Sequence, residues 1–431
     1  MSILFYRLFL ALYWLGAVFL SLFNKKAKRW LTGRKNLFAE LARLPPASAR
    51  RTIWIHCSSL GEFEQARPVL ENLRRAYPGC FILLSFFSPS GYDIRKDYPG
   101  ADAVTYLPPD RPVNAEKFLG LVEPELVVWV KYDYWYFYLT AIKRRNIPLL
   151  LVSGIFRPQQ PFFRSWGHFH RSMLHCFTML FVQNRASADL LAAAGFTRVI
   201  VSGDTRFDRV AEIARQQISL PLVEAFVGTG QVVVAGSTWE EDEEELDHYA
   251  NTHPEIKFII APHETDGERL LDIEKLFRRC IRYSDLEGRV GPREASGGFW
   301  PSADAFAGIN VLLIDSIGLL ATLYRYGTVA YVGGGFGDDG VHNVLEAAVY
   351  GRPVIFGPEY DKYAEAVGLV AAGGAFDVEN ALELEKTLDI LLSDGQDYRG
   401  ACESAGKFVQ DNTGATGIIM NYIQEKRLFT S

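Results

Sequence analysis

Two successive series of short apolar runs, spaced by longer amphipathic stretches, limit most strongly what this chain can fold into. The first comprises Thr52–His56, Phe81–Phe86, Ala103–Leu107, Leu126–Val130, Leu149–Val152, Met179–Val182 and Val199–Ser202. After a polar helical stretch and a Pro-containing turn, a second begins: Val232–Ala235, Phe258–Ala261, Val311–Ile314, Val329–Val332 and Pro353–Phe356. Continuous apolar strands separated by helix-length crossovers belong to parallel sheets covered on both faces. A chain of 431 residues is also too long for one ordinary core. The expectation is an α/β protein of two Rossmann-like domains, residues 36–210 and 229–431, joined by a linker at 211–228 and preceded by a separate segment at 1–35. In such folds ligands bind where strand C-termini and helix N-termini converge, here expected in a cleft between the domains.

The first segment differs from everything after it. Ile3 to Phe23 is apolar or aromatic apart from Arg7, Ser21 and one glycine, long enough to cross a hydrocarbon core of ~30 Å. Lys25, Lys26, Lys28, Arg29, Arg34 and Lys35 follow directly, which places the body of the protein in the cytoplasm. A cleaved signal peptide fits poorly, since the positive charge comes after the apolar run. Two readings stay open: a spanning anchor, or a helix lying along the bilayer with Arg7 snorkelling. The run precedes the first strand, so its removal is expected to leave both cores closed.

A formal charge of -6 gives no overall basic footprint, so nucleic acid is not an expected partner. The five cysteines, Cys57, Cys80, Cys176, Cys280 and Cys402, are scattered without a CxxC pair, which fits neither a disulfide framework nor a thiolate zinc site.

Two segments carry chemistry. Thr52–His56 leads through Cys57-Ser-Ser-Leu-Gly-Glu62 into a helix over Phe63–Tyr77. This places Glu62 at a helix N-terminus, where the dipole and free amides keep a carboxylate ionised and able to accept a proton. An ordinary first-turn glutamate is favoured by the same dipole. The second segment is Ala330-Tyr-Val-Gly-Gly-Gly335, a strand running into a glycine-rich turn, followed by Val341-His-Asn-Val-Leu-Glu346 opening a helix. At Gly334 and Gly335 backbone can approach a ligand closely, Asn343 can cap or contact a phosphate, and Glu346 can accept from two ribose hydroxyls. The Gly-Lys-Ser/Thr element of a P-loop is missing, and the dinucleotide glycine spacing does not fit.

Taken together, Ser59–Glu62, Gly203-Asp-Thr-Arg-Phe-Asp208, Ala235-Gly-Ser-Thr238, Pro262-His263, Asp315-Ser-Ile-Gly-Leu, His342-Asn-x-Leu-Glu346 and Phe356-Gly-Pro358 resemble the Kdo transferases, which move 3-deoxy-octulosonic acid (Kdo) from CMP-Kdo to lipid A precursors. The resemblance covers most of the chain after the anchor. It implies a GT-B fold with an acceptor domain followed by a donor domain, and an inverting transfer in lipopolysaccharide synthesis at the inner membrane. It implies no metal or other cofactor. Glu62 matches the general base. Ser237, Thr238, His263, Gly334, Gly335, Asn343, Glu346 and Arg206 match donor-binding positions. For His263 the alternative is a turn histidine paired with Glu264, and for Arg206 an interdomain ion pair.

The match departs at Val130-Lys-Tyr-Asp-Tyr-Trp135-Tyr, where the family usually has two acids before a Trp-Pro. Lys131 stands in one acidic position, and Asp133 remains a candidate for acceptor contact. Arg157 and Arg164, interleaved with Phe162, Phe163, Trp166 and Phe169, suit the phosphates of a lipid acceptor. A helix with its aromatic face in the core and its arginines in water gives the same pattern. Two further functions stay open: another GT-B nucleotide-sugar transferase acting on a membrane lipid, and a non-catalytic membrane-tethered binding protein.

Overall fold

The computed structural model describes residues 3–46, 49–131, 133–290, 306–338, 340–393 and 395–430, so Tyr132 and Asp339 lie outside the described residues. The chain divides into two compact units, Met1–Arg209 with Thr413–Ser431, and Val210–Asn412.

The first unit holds a seven-stranded sheet in the order β3-β2-β1-β4-β5-β6-β7. Its strands are β1 (Thr52–Cys57), β2 (Phe81–Phe86), β3 (Ala103–Tyr106), β4 (Pro124–Val130), β5 (Leu149–Gly154), β6 (Met179–Val182) and β7 (Val199–Val201). Every pairing is parallel. All six residues of β1 are buried, as the uninterrupted apolar run requires of a strand covered on both faces. Trp54, Trp129, Phe118 and Tyr138 fill one face; Ile53, Ile55, Phe63 and Val69 fill the other.

The second unit repeats the plan in the order β10-β11-β9-β8-β12-β13-β14. Its strands are β8 (Val232–Thr238), β9 (Lys257–Pro262), β10 (Cys280–Arg282), β11 (Val311–Leu313), β12 (Val329–Val332), β13 (Val354–Phe356) and β14 (Ala375–Asp377). Each predicted apolar run forms a strand. The edge strands β10 and β14 were not anticipated: each ends on a charged residue, Arg282 or Asp377, and is only partly buried, so neither appears as an apolar run.

Two expectations change. Residues 413–431 join the first unit, not the second. Asp208 accepts from the backbone N–H groups of Gly414 and Thr416, each at 2.6 Å, and Ile419 and Ile423 enter the core beside Phe63 and Val69. The apolar N-terminal segment is also not independent of the body. It forms a helix, α1 (Ile3–Leu20), followed by the short helix α2 (Lys25–Thr32), and Tyr6 belongs to the core cluster of the first unit. The Tyr6 hydroxyl donates to Asp110 at 2.6 Å, so removing α1 uncovers part of a core.

Candidate active site

In each sheet the strand order reverses beside one strand, between β1 and β4 in the first unit and between β8 and β12 in the second. Chain segments leaving the C-terminal ends of such a pair diverge to opposite faces and open a crevice, the usual ligand position in open α/β sheets. Glu62 and Asp133 lie at the first of these places, and Ser237, Thr238, Gly334 and Gly335 at the second.

In the first unit β1 runs into Ser58 and the helix Leu60–Ala76, with Ser59 as its N-cap and Glu62 in its first turn. β4 runs into Lys131, whose backbone is left-handed at φ 55°, and on to Asp133. The left-handed step turns the chain sharply at the strand end. Ser58 joins the two exits: its backbone N–H donates to the Glu62 carboxylate and its hydroxyl donates to that of Asp133. Trp129 Nε1 donates to the Asp133 carbonyl at 2.5 Å, holding the turn from below.

Glu62 is buried, 8% exposed. The dipole was expected to keep it ionised, but its carboxyl is pushed up to about 7. Burial is the main cause and the Asp133 charge adds to it, while the Ser58 and Ser59 N–H groups and Lys131 pull the other way. Burial raises Asp133 as well, against the Ser58 hydrogen bond. Such a carboxyl gains and loses a proton near neutrality, which suits a general base. His56, wholly buried, is pushed down to about 3 by burial and stays neutral, bonded through Nδ1 to Ser85 Oγ at 2.9 Å.

In the second unit the exits of β8 and β12 are tied by Asp242. Its carboxylate accepts from Tyr331 Oη at 2.7 Å, Trp239 N at 2.9 Å and Gly334 N at 2.8 Å. Gly334 is left-handed at φ 91°, and a Cβ on Gly335 would lie 2.5 Å from the Gly357 backbone nitrogen, so the turn requires both glycines. Ser237 is left-handed at φ 54°. Thr238 is buried, donating to Glu243 at 2.7 Å.

His263 is exposed and stacks on the Trp239 ring at 4.5 Å and on His342 at 4.7 Å, an aromatic contact in place of the predicted alternative pairing with Glu264. Trp239 Nε1 donates to His342 Nε2 at 3.0 Å. Asn343 Nδ2 donates to Glu346 Oε1 at 2.9 Å. The helix behind them starts only at Leu345 and lasts four residues, so less dipole is available to a phosphate than the sequence suggested. Asp242 and Trp239, which organise this turn, were not among the predicted candidates; the signal was Trp239 after the Ser237–Thr238 strand end and an acid three residues later.

Arg206 lies in the first unit, where it pairs with Asp204 at 2.9 Å. Asp204 also accepts from Gln65 and Gln183. Arg157 and Arg164 are exposed, while Phe162 and Phe169 are in the core and Trp166 is 56% exposed. Arg164 lines a cavity of about 370 Å³ with Phe162, Arg171 and Leu190, a group that does not include Glu62 or Asp133. Among the described residues no three His, Cys, Asp or Glu side chains gather as metal ligands would.

Residues 35–209 match the family model described as 3-deoxy-D-manno-octulosonic-acid transferase (kdotransferase). A 3-deoxy-D-manno-octulosonic acid transferase of Aquifex aeolicus is 26% identical over 80% of this chain and 87% of its own length. A bifunctional glycosyltransferase/methyltransferase of Fusobacterium nucleatum is 26% identical over 87% of this chain, which spans 58% of that protein. Among solved structures, a UDP-GlcNAc 2-epimerase from Neisseria meningitidis superposes with a TM-score of 0.59 at 15% identity, covering 87% of this chain and 100% of the other. The calicheamicin glycosyltransferase CalG4 gives a TM-score of 0.53 at 13% identity, covering 87% and 98%. These likenesses define the fold as GT-B.

Proposed function

The chain is a relative of the Kdo transferases, and on that premise we propose that it is an inverting glycosyltransferase moving Kdo from CMP-Kdo to the primary hydroxyl of a lipid A precursor, at the cytoplasmic face of the inner membrane. One observation carries the reading: a buried glutamate at the strand-order reversal of the first sheet, bonded to Ser58 N–H and pushed up to about 7. Glu62 takes the proton of the acceptor hydroxyl as that oxygen attacks the anomeric carbon of Kdo, and CMP departs from the opposite face. Inversion is what likeness to the Kdo transferases implies: one displacement, with Glu62 as base and the neighbouring Asp133 carboxylate on the acceptor side. Asp133, bonded to the same Ser58, contacts the acceptor, and Lys131 offers a positive charge beside it.

The glycine-rich turn of the second unit receives the nucleotide. Backbone amides around Gly334 and Gly335 and the Ser237 hydroxyl approach the phosphate, Glu346 accepts from the ribose hydroxyls, and Asn343 orients Glu346. His263 and Arg206 supply donors to the phosphate or the Kdo carboxylate. Arg157 and Arg164 lie on the acceptor unit, where exposed guanidinium groups suit lipid phosphates. The basic stretch after α1 favours the anionic cytoplasmic leaflet.

The test is incubation of the purified protein with CMP-Kdo and a tetra-acylated lipid A precursor, with products weighed by mass spectrometry. A mass gain of one or more Kdo residues with release of CMP is expected. Turnover of UDP-sugars with none of CMP-Kdo would redirect the assignment to another nucleotide-sugar transferase.

A further inference from the structure

The helix α1 is long and apolar enough to cross a membrane, yet its first half is tied to the body of the first unit. At its start Tyr6 is buried among Tyr136, Phe137 and Phe169, with ring centroids 5.4–6.0 Å away, and its hydroxyl donates to Asp110. Leu10 packs on the same core cluster. Further on, Tyr13 meets Trp30 at 5.8 Å and Phe87 at 6.2 Å. Towards the end Gly16, Ala17 and Leu20 line a cavity of about 440 Å³ with Trp30, Phe87 and Pro89. From residue 6 to residue 20 a helix rises about 21 Å. A helix that left the body to cross a bilayer would carry its first turn to the far leaflet and could not keep Tyr6 on Asp110.

The outward residues form a second stripe. Leu4, Leu8, Leu12, Leu15 and Phe19 are 71%, 53%, 59%, 57% and 64% exposed. At 100° per residue their mean direction is about 170° from that of Tyr6, Leu10, Tyr13 and Ala17. An in-plane membrane helix normally has a polar face turned to water. On the opposite face Tyr6 is buried and Leu10 packs on the core cluster, so no polarity is needed there, while Tyr13 further along keeps 44% of its surface exposed.

We propose that α1 is an in-plane helix that lays its outer stripe into one leaflet while its inner stripe stays docked on the body. The partner is a lipid surface with anionic headgroups. Lys25, Lys26, Lys28 and Arg29, exposed at and after the end of the helix, are placed at headgroup depth, and the Asn24 side chain caps the α2 turn that presents them. The inference rests on the membrane reading above and not on the sugar chemistry.

The experiment uses the full chain with Cys280 and Cys402 replaced by Ser and single Leu4→Cys, Leu12→Cys and Phe19→Cys substitutions. Each is labelled with an environment-sensitive fluorophore and bound to phosphatidylcholine/phosphatidylglycerol vesicles carrying quenchers at graded depths. An in-plane helix gives the same shallow depth at all three sites, and Lys25→Ala/Lys26→Ala/Lys28→Ala weakens vesicle binding at least tenfold at low salt. A profile deepest at Leu12, with Leu4 reached only from the opposite leaflet, would overturn the in-plane placement and leave the membrane reading standing. No quenching at any site, with the protein self-associating through the stripe instead, would overturn both.

Discussion

Glu62 and Asp133 are held by one residue: Ser58 gives its backbone N–H to the first carboxylate and its hydroxyl to the second. Two acids from different strand exits therefore share one support, and the protonation of one depends on the charge of the other.

Glu62→Gln keeps the shape of the side chain and removes the proton acceptor. The expected loss of turnover is roughly 10²–10⁴-fold, the usual contribution of a general base, with the thermal transition retained. In the unsubstituted protein the deprotonated carboxyl is the active form. With Glu62 pushed up to about 7, kcat/KM rises with pH through about that value and levels above it. A flat profile between pH 5 and 8, or near-normal turnover by the Gln variant, would remove Glu62 from the role.

Asp133→Asn removes the negative charge that helps to raise Glu62, while the amide oxygen can still accept from Ser58. The rising limb of the pH profile moves to lower pH. Burial, the larger cause, is untouched, so Glu62 does not return fully to the ordinary carboxylate range. A shift to higher pH, read from initial rates across the same buffers, contradicts the coupling.

Gly335→Ala places a methyl group 2.5 Å from the Gly357 nitrogen and 2.7 Å from its Cα, both backbone atoms that cannot turn aside. The turn must shift, at a cost of about 1–3 kcal/mol, and CMP binding measured by calorimetry weakens with it. Gly337→Ala is the control, since a methyl group there would meet only the Gly334 oxygen, at 3.7 Å. Equal stability and equal CMP affinity in the two variants would mean that close backbone approach at Gly335 is unimportant.

Glu346→Ala removes the acceptor assigned to the ribose hydroxyls and leaves the Asn343 amide without its carboxylate. Affinity for CMP should fall by roughly tenfold or more, as the loss of charge-assisted hydrogen bonds implies. Unchanged CMP binding places Glu346 outside the nucleotide site.

The sheets were legible because each central strand is buried on both faces and so appears as its own apolar run. Glu62 and the Gly334–Glu346 segment were legible because strand, turn and helix start are contiguous there. Features needing distant partners were not. The protonation of Glu62 depends on Asp133, which only the β1–β4 adjacency brings near, and the role of Asp242 depends on β8 lying beside β12. The return of residues 413–431 to the first unit turns on Asp208 meeting Gly414 and Thr416. The docking of α1 was hidden for another reason: both of its faces are apolar, so Tyr6 alone distinguished inside from outside.

That tyrosine supports the last prediction. Asp110 is 2% exposed and accepts from Tyr6 Oη at 2.6 Å and from the Phe137 and Tyr138 N–H groups at 3.1 Å each. Tyr6→Phe keeps the ring packing and removes one of three donors to a buried carboxylate, which should cost about 1.5–3 kcal/mol. The cost depends on pH. Burial pushes Asp110 up to about 6, and the Tyr6 hydrogen bond restrains that rise. A carboxyl raised in the folded state binds more protons folded than unfolded, so its contribution becomes less favourable as pH climbs from the unfolded value towards the folded one. Without Tyr6 Oη the folded value moves higher and this unfavourable window extends upward. The Tm deficit of Tyr6→Phe should therefore be larger at pH 8 than at pH 4.5, whereas Leu12→Ala, on the outward stripe, should leave Tm nearly unchanged in detergent. By the same contact, deletion of residues 1–22 should lower the Tm of the remaining body beyond the Tyr6→Phe effect, since it also uncovers Phe137 and Phe169. Identical Tm values for the unsubstituted and Tyr6→Phe proteins at both pH values would mean that α1 is not docked through Asp110.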